Sequence, residues 1–205
     1  MGETSGTRVM VCARLAAAHA AGDQAALADE LRAAHSAGIE WDTCYEVLLQ
    51  LVAYTGYPRT LNAMATFRAV SGIPAEEQPS EPWESHATAV WPERGVAIFH
   101  ALWPGHALAD SVRPLSPELA EWVVYDDFGR IFGRPGLTLL EREAAVIGSL
   151  VGQGTTPQLR SHRLAFLAVG GDDAAIDTIV SGLTDILPGA MLDSARQALA
   201  TFRAE

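Results

Sequence analysis

The chain has 205 residues, 49% hydrophobic and 19% charged, a composition that sets aside disorder and allows one medium domain or two small ones sharing a core. Its 14 basic and 25 acidic side chains leave a net charge of −11, a field that repels polyphosphates and anionic membranes and excludes nucleic acid as an expected partner. All 14 are arginine, so neither a Schiff-base lysine nor the lysine of a phosphate-binding P-loop is encoded.

In chain order the pattern is helical almost throughout. The opening MGETSGTRVM lacks the apolar core of a signal peptide, and a cytoplasmic location is expected. RVMVCARLAAAHAA has apolar residues at helical spacing and is punctuated by Gly22 and Asp23. DQAALADELRAAHSAG follows, with Gly38 as its C-terminal stop. WDTCYEVLLQLVAYTGYP reads as the next helix, and Gly56 and Pro58 bend the chain into PRTLNAMATFRAV. The two cysteines, Cys12 and Cys44, lie in apolar helical runs and form no Cys-x-x-Cys pair, so a dithiol redox site or a cysteine zinc site is not expected. Residues 73–91, rich in proline and glutamate, read as a linker between a helical unit at 1–72 and another at 92–205.

Beyond the linker, ERGVAIFHALWPGHALADSV is helical but broken at Pro104-Gly105, and SPELAEWVVYDDFGRIFG has Ser116 as N-cap. After the GRPGL turn, helices are expected at roughly 138–152, 157–169, 172–186 and 189–203. With no strand-like alternation, the fold class is all-α. No apolar run reaches about 18 residues, so no membrane span and no membrane partner are expected. Leu27 to Leu51 can be laid without gaps on Leu159 to Leu183, pairing Gly38 with Gly170, which suggests two related helical units in tandem.

Two residues break the apolar pattern. His162 lies in line with Leu159, Phe166 and Val169, and Glu143 in line with Leu139, Val146, Ile147 and Leu150. A carboxylate and an imidazole facing inward from consecutive helices are expected to meet, and such a pair can hold or relay a proton. The alternative is a buried hydrogen-bonded pair that fixes helix register. Arg134 in the turn and Arg142 beside Glu143 are candidates to grip a substrate carboxylate. Arg160 and Arg163 flank His162, and Arg163 reads as a residue that solvates a helix end. His106, after the Pro104-Gly105 break, is either a capping residue or a loop histidine near the site. No metal-ligand spacing is present, and no metal or cofactor is expected.

These residues together resemble the carboxymuconolactone decarboxylase family. The match runs over Arg94, Gly95 and His106, then Gly129 and Arg134 to Leu137, then Arg142 and Glu143, then Leu159, Arg160 and His162, while YEVLLQLVAYTGYPRTLNAM resembles the other end of the same domain. The resemblance implies an alkylhydroperoxidase D-like helical bundle and a cofactor-free decarboxylation of a small carboxylated lactone. It further implies Glu143 and His162 as the acid/base pair and Arg134 or Arg142 on the substrate carboxylate. It also implies a homo-oligomer, a trimer for a fused two-unit chain or a hexamer-like assembly. The wider superfamily spaces a Glu, two cysteines and a His as residues 143, 155, 158 and 162 are spaced here, but Thr155 and Gln158 occupy the cysteine positions. No thiolate can form there, which argues against a peroxidase. A non-catalytic helical oligomer is the remaining alternative.

Overall fold

The computed structural model describes residues 3–77, 87–106 and 112–204, and every helix or strand element among them is helical. The chain divides into two compact units, residues 1–78 with 136–205, and residues 79–135. These are not the expected 1–72 and 92–205. The C-terminal helices from Gly136 onward share a core with the N-terminal ones: Ala145, with Leu137 and Ile186, joins the cluster of Cys12, Leu15, Leu48 and Phe67.

In the first unit, helices α1 (Glu3–Ala21), α2 (Gln24–Ser36), α3 (Trp41–Gln50) and α4 (Val52–Ser71) form the N-terminal part. Asp23 caps α2, its carboxylate accepting from the backbone of Ala25 and Ala26 at 3.0 Å. The run expected as one helix from Trp41 to Pro58 breaks at Leu51, a buried residue at the joint between α3 and α4. Gly56, at φ +76°, then kinks α4. Pro58 is tolerated because the kink has already opened the hydrogen-bond ladder its ring would block.

The C-terminal part holds α7 (Leu139–Gln153), α8 (Thr156–Ala168), α9 (Asp173–Ser181) and α10 (Gly189–Ala204), with α5 (Ala87–Leu102) and α6 (Pro117–Trp122) in the other unit. Thr138 and Glu141 close a reciprocal capping box at the start of α7. Every residue of α7 from Glu141 to Gly152 is buried, so this helix has no wet face over that stretch. It runs beside α1 in the same direction: a Cβ on Gly148 would stand 2.1 Å from the Ala13 carbonyl oxygen, and one on Gly152 2.7 Å from that of Ala17. Small residues here let the two backbones touch.

The Leu27-to-Leu159 spacing recurs along the whole unit. It separates the ends of α1 and α7 and both ends of α2 from those of α8. It also separates the starts of α3 and α9, and the end of the Gly56 kink from the start of α10. The glycines agree as well, with positive φ at Gly22 and Gly154 and at Gly38 and Gly170.

The second unit is built on α5 (Ala87–Leu102), α6 (Pro117–Trp122) and the π-helical stretch Val123–Phe132 that continues α6. Ser116 caps α6 as expected. The sequence pattern does not announce the π-helix, since a change of hydrogen-bond register leaves little compositional mark. Gly95 and Gly129 let α5 and the π-helix meet backbone to backbone, and Arg94 Nε donates to the Gly129 carbonyl at 2.6 Å. Helix already begins at Ala87, so the expected linker ends in α5; residues 78–86 of it, and residues 107–111 of the expected helix after Gly105, lie outside the described residues. Among the described residues, no helix is long and apolar enough to cross a membrane.

Candidate functional site

Three consecutive charged residues open the buried stretch of α7, and each turns to a different neighbour. Successive helical residues are about 100° apart, so Glu141, Arg142 and Glu143 address three sides of one helix. Glu141 accepts from Arg8 Nε of α1 at 2.5 Å. Burial pushes the Glu141 carboxyl upward, but the Arg8 hydrogen bond and the Thr138 backbone outweigh it and hold the group below its ordinary value. Arg142, fully buried, donates from Nη1 to Gln50 Oε1 at 2.9 Å, and its Nη2 lies 3.7 Å from a Glu46 carboxylate oxygen. Gln50 Nε2 donates in return to the Arg142 carbonyl at 3.2 Å, tying α3 to α7.

Glu143 turns to α8. Its Oε2 lies 2.8 Å from His162 Nδ1, with the carboxylate side chain 0% exposed and the imidazole 12% exposed. The expected meeting of carboxylate and imidazole is therefore present. Among the described residues, the second carboxylate oxygen, Oε1, is buried and without a hydrogen-bond partner. An unsatisfied buried oxygen of this kind is costly, and the fold leaves it open. The Tyr54 ring of α4 meets the His162 ring edge to face, with centroids 5.7 Å apart. The N-terminal half thus supplies one wall of the histidine's surroundings, a contribution the sequence pattern does not reveal. Its only sequence trace is the tyrosine of the YTGYP stretch.

The other expected site residues fall elsewhere. Arg142, a candidate for the substrate carboxylate, is engaged inside the protein with Gln50 and Glu46. Arg134 belongs to the second unit, half-buried in the turn after the π-helix, where its backbone N–H donates to the Ile131 carbonyl at 3.2 Å. His106 is also in the second unit, exposed beyond the end of α5, its backbone N–H donating to the Trp103 carbonyl at 3.2 Å. Arg160 is exposed. Arg163 reaches Asp173 at 2.7 Å, and Arg203 meets the same carboxylate at 3.0 Å, so this arginine ties α8 to α9. Thr155 Oγ1 donates to the Leu150 carbonyl at 3.3 Å in the turn before α8, and Gln158 is exposed.

Both cysteines are buried and free. Burial pushes the Cys12 thiol far above its ordinary range and the Cys44 thiol up to about 12. Among the described residues, no three His, Cys, Asp or Glu side chains gather as metal ligands would. No family model matches the chain, and no curated protein matches it.

Proposed function

We propose that this protein is a cofactor-independent acid/base enzyme of the carboxymuconolactone decarboxylase type, acting on a small carboxylated lactone or similar carboxylate. The observation that carries the reading is Glu143: fully buried, one oxygen on His162 and the other without a partner. A carboxylate hydrogen-bonded to one imidazole nitrogen holds the ring in one orientation and leaves its second nitrogen to exchange a proton with a substrate.

In the reaction, the bond between the substrate carbon and its carboxylate breaks and CO2 leaves. The electron pair passes into a dienolate-like system, and His162 protonates the resulting carbon. Solvent restores the proton to the Glu143–His162 pair. Of the two arginines that the family resemblance offers for the substrate carboxylate, Arg142 is held by Gln50 and Glu46.

The reading includes two related helical units in tandem, arranged as an alkylhydroperoxidase D-like bundle that assembles into a homo-oligomer. The constant spacing of helix ends and left-handed glycines supports the tandem. So does a crosswise correspondence: Arg142 meets Gln50, and at the equivalent places Met10 lies over Gly182. Two copies of one unit related by a two-fold axis produce that exchange. The pair itself is not duplicated, since His162 corresponds to Glu30, which bonds Arg14 at 2.6 Å.

One observation favours a structural role for the pair instead: neither Glu143 nor His162 lines the cleft of about 360 Å³ in this unit. The experiment that separates the two readings is CO2 release from a panel of carboxylated unsaturated lactones. His162→Ala is expected to abolish release while the helical circular dichroism spectrum persists. Release at the wild-type rate in that variant would overturn the catalytic reading.

A further inference from the structure

The cleft of about 360 Å³ is a separate feature. Among its walls are Ala20 at the end of α1, Gly152 and Gln153 at the end of α7, Thr155, Arg59 of α4 and Met191 of α10. Ala20 and Gly152, and likewise Arg59 and Met191, stand at the Leu27-to-Leu159 spacing. The two halves of the unit therefore contribute equivalent positions to the two sides of this cleft. At one position they differ chemically: a guanidinium on one side and a thioether on the other.

Arg59 is held in place for this role. Its Nη1 donates to the Ala20 carbonyl at the C-terminal end of α1, and the group lies against Gly22, where a Cβ would stand 3.2 Å from that nitrogen. The left-handed Gly22 thus gives the guanidinium its seat. Among the described residues Arg59 makes no ion pair, whereas Arg8, Arg14, Arg142, Arg163 and Arg203 each meet a carboxylate. Among the described residues, then, an arginine without a carboxylate partner is fixed at the wall of a cleft, where it can receive an anion.

We propose that this cleft binds a small monocarboxylate with an apolar body, its carboxylate on Arg59 and its body against Met191 and the neighbouring alanines. An arginine fork matches a carboxylate in a planar two-bond geometry. The lining holds no second cation, and the overall negative field opposes a dianion, so phosphate is disfavoured. The volume lies near the lower end of small-molecule sites, which suits a body of a few carbons or one ring. This site is independent of the Glu143–His162 pair.

The test uses the full chain labelled with 13C at its methionine methyls, titrated separately with hexanoate, benzoate, benzamide and inorganic phosphate. Met191 reports on the cleft, its signal assigned with Met191→Leu, while Met10 and Met64 serve as internal references. Hexanoate and benzoate are expected to shift the Met191 methyl saturably, and benzamide and phosphate to leave it in place. Arg59→Met is expected to weaken benzoate at least about tenfold, the loss that removing one charge-assisted pair implies. Met191→Arg, which removes the reporter methyl and is therefore followed by calorimetric titration, leaves the Arg59 contact to α1 intact and is expected to tighten benzoate. Absence of a saturable shift with either carboxylate, equal shifts with benzamide, or benzoate binding unchanged in both variants would each overturn the proposal.

Discussion

Glu143 Oε2 sits 2.8 Å from His162 Nδ1, and this contact joins α7 to α8 at a point where the carboxylate has no exposure at all. Removing one partner of such a pair leaves the other buried and uncompensated, whereas replacing both with apolar groups removes the desolvation cost of each. His162→Ala is therefore expected to lower unfolding stability by about 3 kcal/mol. The double variant Glu143→Leu with His162→Leu is expected to return to within about 1 kcal/mol of wild type or to exceed it. Chemical denaturation of the three proteins checks this. A double variant less stable than His162→Ala would show that the pair stabilises the fold beyond its own desolvation cost.

Gly148 lies where α1 and α7 approach most closely, and its missing Cβ would stand 2.1 Å from the Ala13 carbonyl oxygen. That atom is helix backbone and cannot rotate away, so Gly148→Ala must push the two helices apart. The usual gain in helix propensity of about 1 kcal/mol for Ala over Gly is overwhelmed. A net loss of about 3 kcal/mol or more is expected, in the upper range of overpacking. Gly152→Ala, whose Cβ would meet the Ala17 oxygen at 2.7 Å, should cost less. Thermal melts of the two variants give the ranking, and equal melting points would contradict the close crossing.

Much of this arrangement is legible in the amino-acid sequence. Helix ends carry their own chemistry in Asp23, Ser116 and the left-handed glycines, so element order comes through. The Glu143–His162 contact is legible because each residue replaces a hydrophobe on the stripe of consecutive helices. Arg142 misleads, because it neighbours a stripe residue and the periodicity turns it outward. On α7 no outward face exists over that stretch, and the alanines and glycines that allow this blur the stripe. Glu141 is signalled only by the Thr138-to-Glu141 capping box. Arg59 and Tyr54 give no warning, since their importance comes from helices far away in sequence.

The cysteines give a prediction about reactivity. Cys12 and Cys44 are both buried, and desolvation raises both thiols, Cys44 to about 12. A thiol reagent that needs the thiolate should therefore leave both untouched in the native protein at pH 8 and modify both on unfolding. Counting released thionitrobenzoate with and without denaturant checks this. Rapid native labelling of either residue would contradict the packing described for α1 and α3.

His19 gives the clearest pH dependence. Its ring is fully buried at the end of α1, with Nε2 2.8 Å from Thr55 Oγ1 and Nδ1 without a partner. Thr55 donates its own proton to the Leu51 carbonyl at 2.9 Å, so His19 Nε2 is the donor in the first bond. Burial above all, with the nearby Arg59 charge added, lowers its pKa from 6.5 to about 4. The folded state thus binds fewer protons than the unfolded state between these values. Stability from this group is complete above pH 6.5 and is lost as pH falls toward about 4, by about 3 kcal/mol in all. His19→Leu removes the titrating group from a place whose counterpart in α7 is Val151. The difference in unfolding free energy between wild type and His19→Leu should therefore change across pH 6.5 to 4 in favour of the variant, while the carboxylates common to both cancel. Parallel stability curves over that range would show that His19 takes up its proton without disturbing the fold.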